Sequence, residues 1–459
     1  MNSVIEPVHH DDSTQRQARL ETIAAQLLDR ARAEGASQAE VSCSEERGLS
    51  VNVRMGGVDT VESTRDRGIA VTVFFGQRKG SASTADLRED SLAATVAQAC
   101  AIAKVTEDDP AAGLADAALM AVPPPGGEWS DHDGWHPWKL EPAQAIDLAL
   151  ACEQAGRDAD ARIGNSDGAS VSSGESLGVY ANSHGFVGHE RGTRHTIGCA
   201  LIAGRGEDMQ RDGWYSTAVA AEDLEPAAVI GCKAAERVLA RLSPRHLGTA
   251  QMPVLLSAEM ARSLFGHLVG AVSGGALYRR ASFLLDSAGE RLFPEWFAIL
   301  EDPFLARGFR SASFDAEGVS TRRSALVENG VLQRYVLGSY SARKLGLETT
   351  ANAGGVHNLA VQANAGTQEE IVGGMRRGLL VTELMGQGVN NVTGDYSRGA
   401  AGFLVEDGRI AGPVDGITIA GNLRRMFSAI EAVGGDVDPR SHLRTGSVLV
   451  GRMTVAGTG

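Results

Sequence analysis

The 459-residue chain carries 57 acidic against 43 basic side chains, a formal charge of -14, with 56 glycines and only 5% aromatic residues. That balance removes the electrostatic footprint a nucleic-acid binder needs, and the length exceeds what one hydrophobic core supports, so two or three domains are expected. Five scattered cysteines without a C-x-x-C pair (Cys43, Cys100, Cys152, Cys199, Cys232) fit free thiols in a reducing compartment and exclude a disulfide framework or a cysteine zinc knuckle.

The opening segment MNSVIEPVHHDDSTQRQ has neither a basic n-region nor an apolar core, and no long apolar run follows anywhere, so a cytoplasmic protein that does not span the membrane is expected. Residues 1–13, with His9 and His10, read as a disordered polar tail. A helix is predicted over 14–34 from Leu20, Ile23, Ala24, Leu27, Leu28 and Ala31, with Thr14 and Gln17 at capping spacing and Gly35 as the stop. Leu49 to Met55 and Ile69 to Phe75 alternate as strands of a meander around the Gly56-Gly57 turn. A second helix is predicted from Asp86 to Lys104, with Asp86 and Glu89 at capping spacing.

Residues 107–140 are rich in Pro and Gly and hold Trp129, Trp135 and Trp138, the signature of a linker pinned onto a domain surface by aromatic side chains. The earlier order then recurs: a helix opening near Pro142, strands over 170–202 with a turn at Asn182 to Gly185, and a helix over 225–242. From His246 the chain turns to Gly-rich strands, with hairpin signals at Glu328-Asn329-Gly330 and Glu406-Asp407-Gly408 and short helices near 258–270 and 421–433. The expected fold class is α+β: two helix-flanked antiparallel β units (14–106 and 141–245, joined by the linker 107–140), then a larger β-rich C-terminal domain (246–459) with short helices.

Chemistry is harder to find. No H-E-x-x-H or H-E-x-x-x-H string occurs, and His132 and His136, one helical turn apart in number, sit among Gly134 and Pro137, which oppose a helix. The spacing of His184, His189 and His195 does not put all three on one strand face. GNSDG (Gly164 to Gly168) matches G-x-S-x-G, but a helix precedes it and strands follow, the reverse of a nucleophile elbow, so Ser166 reads as a turn serine. No phosphate-binding loop is present. Two stretches combine Gly with Asn, Thr and Ser, Thr349 to Gly366 and Gly386 to Phe403; they suit either close backbone approach to an extended peptide or ordinary positive-φ turns.

The run SGGALYRRASFL, EDPFLARGFRSASFDAEGVST, VTELMGQGVNNVTGDYSRGAAGFLVEDGRI and DGITIAGNL resembles the third domain of the TldD/PmbA metallopeptidase family, on the PmbA (TldE) side. GLSVNVRMGGVDTVESTRDRGIAVTVFFGQRKGSAST is similar to that family's first domain, and the central unit to its second. The resemblance implies proteolysis of unfolded or short linear peptides by a zinc metallopeptidase heterodimer, with H-E-x-x-x-H and a Cys ligand supplied by the TldD-type partner. Where that helix would lie this chain has GHLVGA, with Gly266 and Ala271 at the ligand ends and His267 at the position of the Glu base, and it has no Cys after Cys232.

The resemblance therefore implies a subunit that binds no cofactor itself, has no catalytic or metal-ligating residue of its own, and completes a chamber around the partner's zinc. It places His267, Asn390, Asn391, Thr393, Asp395 and Ser397 on the substrate path. Two alternatives stand beside it. One is a non-enzymatic peptide-binding or regulatory protein; the other is a self-sufficient hydrolase whose unrecognised ligands are His267, His357, His442 and Glu259. Expected partners are the TldD-type subunit and peptide or unfolded-protein substrates, with a homodimer as the form taken alone, and no nucleic acid or membrane.

Overall fold

The computed structural model describes residues 13–125 and 127–457. The expected tail thus lies outside the described residues, apart from Ser13, which opens the first helix. The chain divides into two compact units: one of residues up to Leu201, Gly213–Ala235 and Ser311–Thr321, the other of Ile202–Asp212, Glu236–Arg310 and the chain from Arg322. The α+β class holds, and no described helix is long and apolar enough to cross a membrane.

In the first unit α1 (Ser13–Ala33) buries the stripe Leu20, Ile23, Ala24, Leu27 and Ala31. It stops at Gly35, whose φ of +88° supplies the left-handed turn a helix end favours. β1 (Gln38–Arg54), β2 (Gly57–Phe75) and β3 (Arg78–Thr84) form the meander, and α2 (Glu89–Val105) covers it. β1 and β2 run well beyond the alternating stretches seen in the sequence. The signal was hidden because β1 buries a carboxylate at a core position: Glu45 meets the guanidinium groups of Arg16 at 3.0 Å, Arg47 at 3.1 Å and Arg67 at 3.3 Å. Such a charge is held inside only by partners of opposite sign. The second helix begins at Glu89 rather than Asp86, whose carboxylate instead accepts the Arg88 N–H at 3.0 Å and the Ser91 hydroxyl at 2.7 Å just outside it.

The pattern repeats as α3 (Pro142–Arg157), β4 (Asn165–Asn182), β5 (Val187–Ala203), β6 (Gln210–Ala218) and α4 (Ala227–Ala240). The two meanders join into one six-stranded sheet, β3-β2-β1-β4-β5-β6, through antiparallel pairing of β1 and β4 from Glu40↔Asn182 to Val53↔Ala169. Ser166 stands in β4 itself, buried, with its hydroxyl accepting the Gly168 N–H at 2.8 Å, so it is a strand residue rather than the turn serine expected. The linker tryptophans are pinned: Trp129 against Phe314 and Phe186 with ring centres 4.9 and 5.7 Å apart, Trp135 under the Arg191 guanidinium, Trp138 edge-on to His195. Phe314 belongs to the segment 311–321, which sequence order groups with the C-terminal region and which packs here in the first unit.

The second unit contains β7 (Ala250–Leu256), α5 (Ala258–Ala271), α6 (Gly274–Tyr278), β8 (Ile299–Asp302), β9 (Ser324–Glu328), β10 (Val331–Leu332) and α7 (Ser339–Leu345). It continues with β11 (Asn358–Val361), α8 (Gln368–Gly374), β12 (Arg377–Met385), β13 (Asp395–Glu406), β14 (Arg409–Asn422), α9 (Leu423–Ser428), β15 (Ile430–Val433), β16 (Leu443–Arg444) and β17 (Val448–Ala456). The larger sheet has the order β14-β13-β12-β7-β17-β15, and an added β14–β17 pairing closes its first five strands into a ring. Closure removes the open edges that an unpaired sheet would present. α5 packs by Leu264, Phe265 and Leu268 into the same core as Val254, Leu379, Ile419 and Val450. Both expected hairpins form, with positive φ at Asn329 and Gly330 and at Asp407 and Gly408, as two-residue turns of this type demand. The helix expected over 421–433 is only α9; its apolar period runs on through Ile430, but residues 430–433 pair with β17 as β15.

Candidate functional site

The helix α5 presents the residues that stand in place of a metal motif. One side is fixed in the core by Ala261, Leu264, Phe265, Leu268 and Ala271. Beside it, Gly266 and Gly270 leave open space where a side chain would stand. His267 lies between these faces, half-buried, its ring edge-on to Tyr396 of β13 with centres 6.0 Å apart. Its Nε2 is enclosed and has no hydrogen-bond partner. Burial, and then the nearby Arg398 charge, push the imidazole pKa below its ordinary value, so it is neutral at neutral pH.

Strand alternation sorts the remaining candidates. Tyr396 points into the core against His267, while Asp395 and Ser397 line a depression of about 490 Å³ together with Gln387, Gly388, Val389, Asn390 and Asn391. The lobe from 386 to 394 that forms its rim is tied by its own polar groups. Asn390 donates its N–H to the Asp395 carbonyl at 2.9 Å, and its Oδ1 accepts the N–H of Val392 at 2.9 Å. The Ser397 N–H bonds the Gly388 carbonyl at 2.7 Å. A side chain on Gly388 would overlap the Ser397 carbonyl, so glycine is needed there for close approach.

Asp395 is the one charged group on the lining. The Thr393 hydroxyl donates to its Oδ2 at 2.7 Å and the Asn422 amide to its Oδ1 at 3.2 Å, and these bonds hold its carboxyl below the ordinary carboxylate range. The structure thus brings Asn390, Asn391, Asp395 and Ser397 to one surface. Thr393 does not line it but orients Asp395, and His267 lies on the other side of β13. The individual roles of Gln387 and Val389 were not legible; only the flanking glycines signalled a close backbone approach. Amides, a hydroxyl and one carboxylate suit hydrogen bonding to a polypeptide main chain, and the lining has no His, Cys or Lys for acid, base or nucleophilic work.

The alternative ligand set does not assemble. His357 is engaged by Glu301, which accepts both its backbone N–H at 2.6 Å and its Nδ1 at 3.1 Å; the other Glu301 oxygen meets Arg334, and Asn352 donates at 2.9 Å. Glu259 faces Arg237 and Arg440 at 3.6 and 3.8 Å. His442 contributes its carbonyl to the N–H of Leu359 at 2.7 Å. Among the described residues no three His, Cys, Asp or Glu side chains come together as a group that could hold a metal ion. A tetrahedral zinc site needs such a set, and the described residues of α5 and its surroundings do not supply the donors that the family resemblance assigns to the corresponding helix of a TldD-type chain.

Three family domains match the chain: the PmbA/TldA metallopeptidase domain 1 over residues 39–103, the central domain over 135–242 and the C-terminal domain over 249–457. The chain is 46% identical to the metalloprotease PmbA of Escherichia coli O157:H7, over 91% of this chain and 92% of that protein. A crystal structure of a candidate modulator of DNA gyrase from Bacteroides thetaiotaomicron has 26% identity and a TM-score of 0.89, covering 95% of this chain and 98% of its own. TldE from Thermococcus kodakarensis shares the fold at 20% identity, with a TM-score of 0.82 over 95% of this chain and all of its own.

Proposed function

The chain belongs to the PmbA/TldD metallopeptidase family, and on that premise we propose that it is the TldE/PmbA-type subunit of a zinc-dependent peptidase whose metal and catalytic residues come from a TldD-type partner. One observation carries the reading. α5 is formed and anchored in the core, yet at the two positions where the family's motif needs its ligands it has Gly266, beside open space, and Ala271, buried in the core, with the single imidazole of His267, its Nε2 enclosed, where the general base would stand. The helix is kept and its chemistry is absent, as expected of a subunit that completes a chamber rather than one that cleaves within it.

The substrates are unfolded or short linear peptides. The depression walled by Asn390, Asn391, Asp395 and Ser397 supports this class, because backbone-directed hydrogen bonds accept many sequences while reading few side chains. The test is peptide hydrolysis by the purified chain alone and after mixing with a TldD-type subunit, with zinc measured on each sample. Activity and zinc only in the mixture are expected. Zinc-dependent turnover by the single chain would overturn the proposal.

A further inference from the structure

We infer that the outer face of the five-stranded sheet binds the C-terminal residue of a peptide, the Arg444 guanidinium taking its free carboxylate and the floor at Leu300 and Ala360 its apolar side chain; the inference rests on the reading above for peptides as the substrate class. The sheet, in the order β10-β9-β8-β11-β16, turns Ile299, Leu359, Val361 and Leu443 into the core of the second unit. Alternation sends their neighbours to the other side. There the register aligns Ala325 of β9, Leu300 of β8, Ala360 of β11 and Arg444 of β16 in one row across four strands. Leu300 is 53% exposed and Ala360 is exposed, so the row is an open apolar floor that ends in a cation.

Arg444 is half-buried, and its Nε is enclosed without a hydrogen-bond partner. Among the described residues no carboxylate pairs with it, and burial alone, with no contribution from a charge of either sign, lowers its pKa. The acids of the sheet and of the segment leading into β16 are committed elsewhere or distant. Asp302 meets Arg323 at 3.0 Å, and Glu301 is held by Arg334 and His357. Asp438 meets Arg440 at 2.9 Å, and Asp436 accepts the Ser447 hydroxyl at 2.6 Å. Glu328 ends β9, three strand spacings or about 14 Å from β16. A guanidinium stays protonated, so enclosing its Nε unpaired costs free energy that a bound carboxylate would recover, and the planar fork takes a carboxylate at two points. A chain end suits the row better than an internal Asp or Glu. It carries carboxylate and side chain on one Cα, and with strands about 4.8 Å apart that one residue reaches from Arg444 to the apolar floor. An internal acidic side chain ends in its carboxylate and has no apolar group to lay beside it.

The experiment uses the full chain and a short, fluorescently labelled Gly/Ser peptide ending in Leu with a free carboxylate, followed by anisotropy. The same peptide amidated at its end, its counterpart ending in Ser, an amidated peptide with an internal Asp, and inorganic phosphate are the comparisons. The free acid ending in Leu is expected to bind about tenfold or more tightly than its amide, and more tightly than the acid ending in Ser. Arg444→Gln should bring acid and amide to equal affinity, with Tm unchanged or raised because an unpaired charge has been removed from a half-buried place. Arg409→Gln, on the hairpin of the other sheet, should leave the preference intact. If Arg444→Gln melts early, Leu300→Asp at its exposed position gives the same readout by setting a like charge beside the bound carboxylate. Equal binding of acid and amide, a preference unaltered in both variants, equal binding of the internal-Asp peptide, or displacement by phosphate at the peptide's own concentration each overturns the inference. Because binding is read on the chain alone, failure of hydrolysis in the mixture with a TldD-type subunit leaves this result standing, and hydrolysis without a preference for the free acid removes this site only.

Discussion

The carboxylate of Glu153, buried on α3, accepts the backbone N–H of Gly56 at 2.8 Å and closes the hairpin between β1 and β2. Its other oxygen takes the N–H of Met55 at 2.8 Å, and both turn residues have positive φ. Burial alone would raise the carboxyl pKa; hydrogen bonds from Ser166, Gly56 and Met55, with the Arg157 charge, outweigh it and leave the group below its ordinary 4.5. The folded value is therefore lower than the unfolded one, so this stabilisation is complete above about pH 4.5 and is lost as pH falls through the lowered value. Glu153→Gln should cost about 2 kcal/mol in urea unfolding at neutral pH, and the variant should lose less stability on acidification than the parent. Equal acid sensitivity of the two would remove Glu153 from this role.

His267 offers a test of whether its position is structural or functional. An enclosed ring nitrogen without a partner costs about 1–3 kcal/mol, so His267→Phe, which keeps a ring against Tyr396, should leave stability unchanged or raise it. The folded imidazole has a pKa below its ordinary 6.5, so the unfolded chain binds more protons and the parent is destabilised as pH falls below about 6.5. The variant should lose that share of the pH dependence. If peptide hydrolysis in the two-subunit mixture also falls, His267 serves the substrate path; if only stability responds, it is a packing residue.

The sequence was most legible where burial and period agree. α1 and α5, with one apolar stripe each, were found to within a residue or two, and both hairpins were marked by Asn-Gly or Asp-Gly, which turn geometry demands. It was least legible where a polar group sits at a core position. Glu45 interrupts β1, and the charged run Asp59 to Arg67 disguises the exposed half of β2, which pairs with β1 alone. The repeated order of elements could be read, but not the joining of both meanders through β1 and β4, because pairing partners distant in the chain leave no local trace. At the candidate site the Gly and Asn content flagged the lobe; the sorting of Tyr396 to one side of β13 and Asp395 and Ser397 to the other needed the strand itself.

A buried ionic network anchors the second stretch that the sequence singled out. Glu301, Arg334, Asn352 and His357 satisfy one another, and Glu301 is only 3% exposed. Burial pushes the Glu301 carboxyl up, but His357 and Arg334 bring it below its ordinary value. Removing one partner of such a group leaves an uncompensated charge inside. Glu301→Ala should therefore cost about 3–5 kcal/mol in denaturant unfolding, far more than an exposed substitution such as Glu328→Ala. A loss below about 1 kcal/mol would mean that the network relaxes into solvent.

Gly388 links the shape of the depression to its proposed use. Its carbonyl accepts the Ser397 N–H, and an added methyl group would collide with the Ser397 carbonyl, so Gly388→Ala must push the rim away from β13. The rim is exposed and contributes little to the core, so stability should change by no more than about 1 kcal/mol. Gly386→Ala is the control. It meets a positive φ of +76° and so carries backbone strain of similar size, but its new methyl group would stand in open space and leave the rim in place. Hydrolysis by the mixture of this chain with a TldD-type subunit should fall about tenfold or more with Gly388→Ala and stay near the parent level with Gly386→Ala. Parallel losses in both variants would trace the effect to loop stability, and full activity of Gly388→Ala would take the peptide path away from this depression.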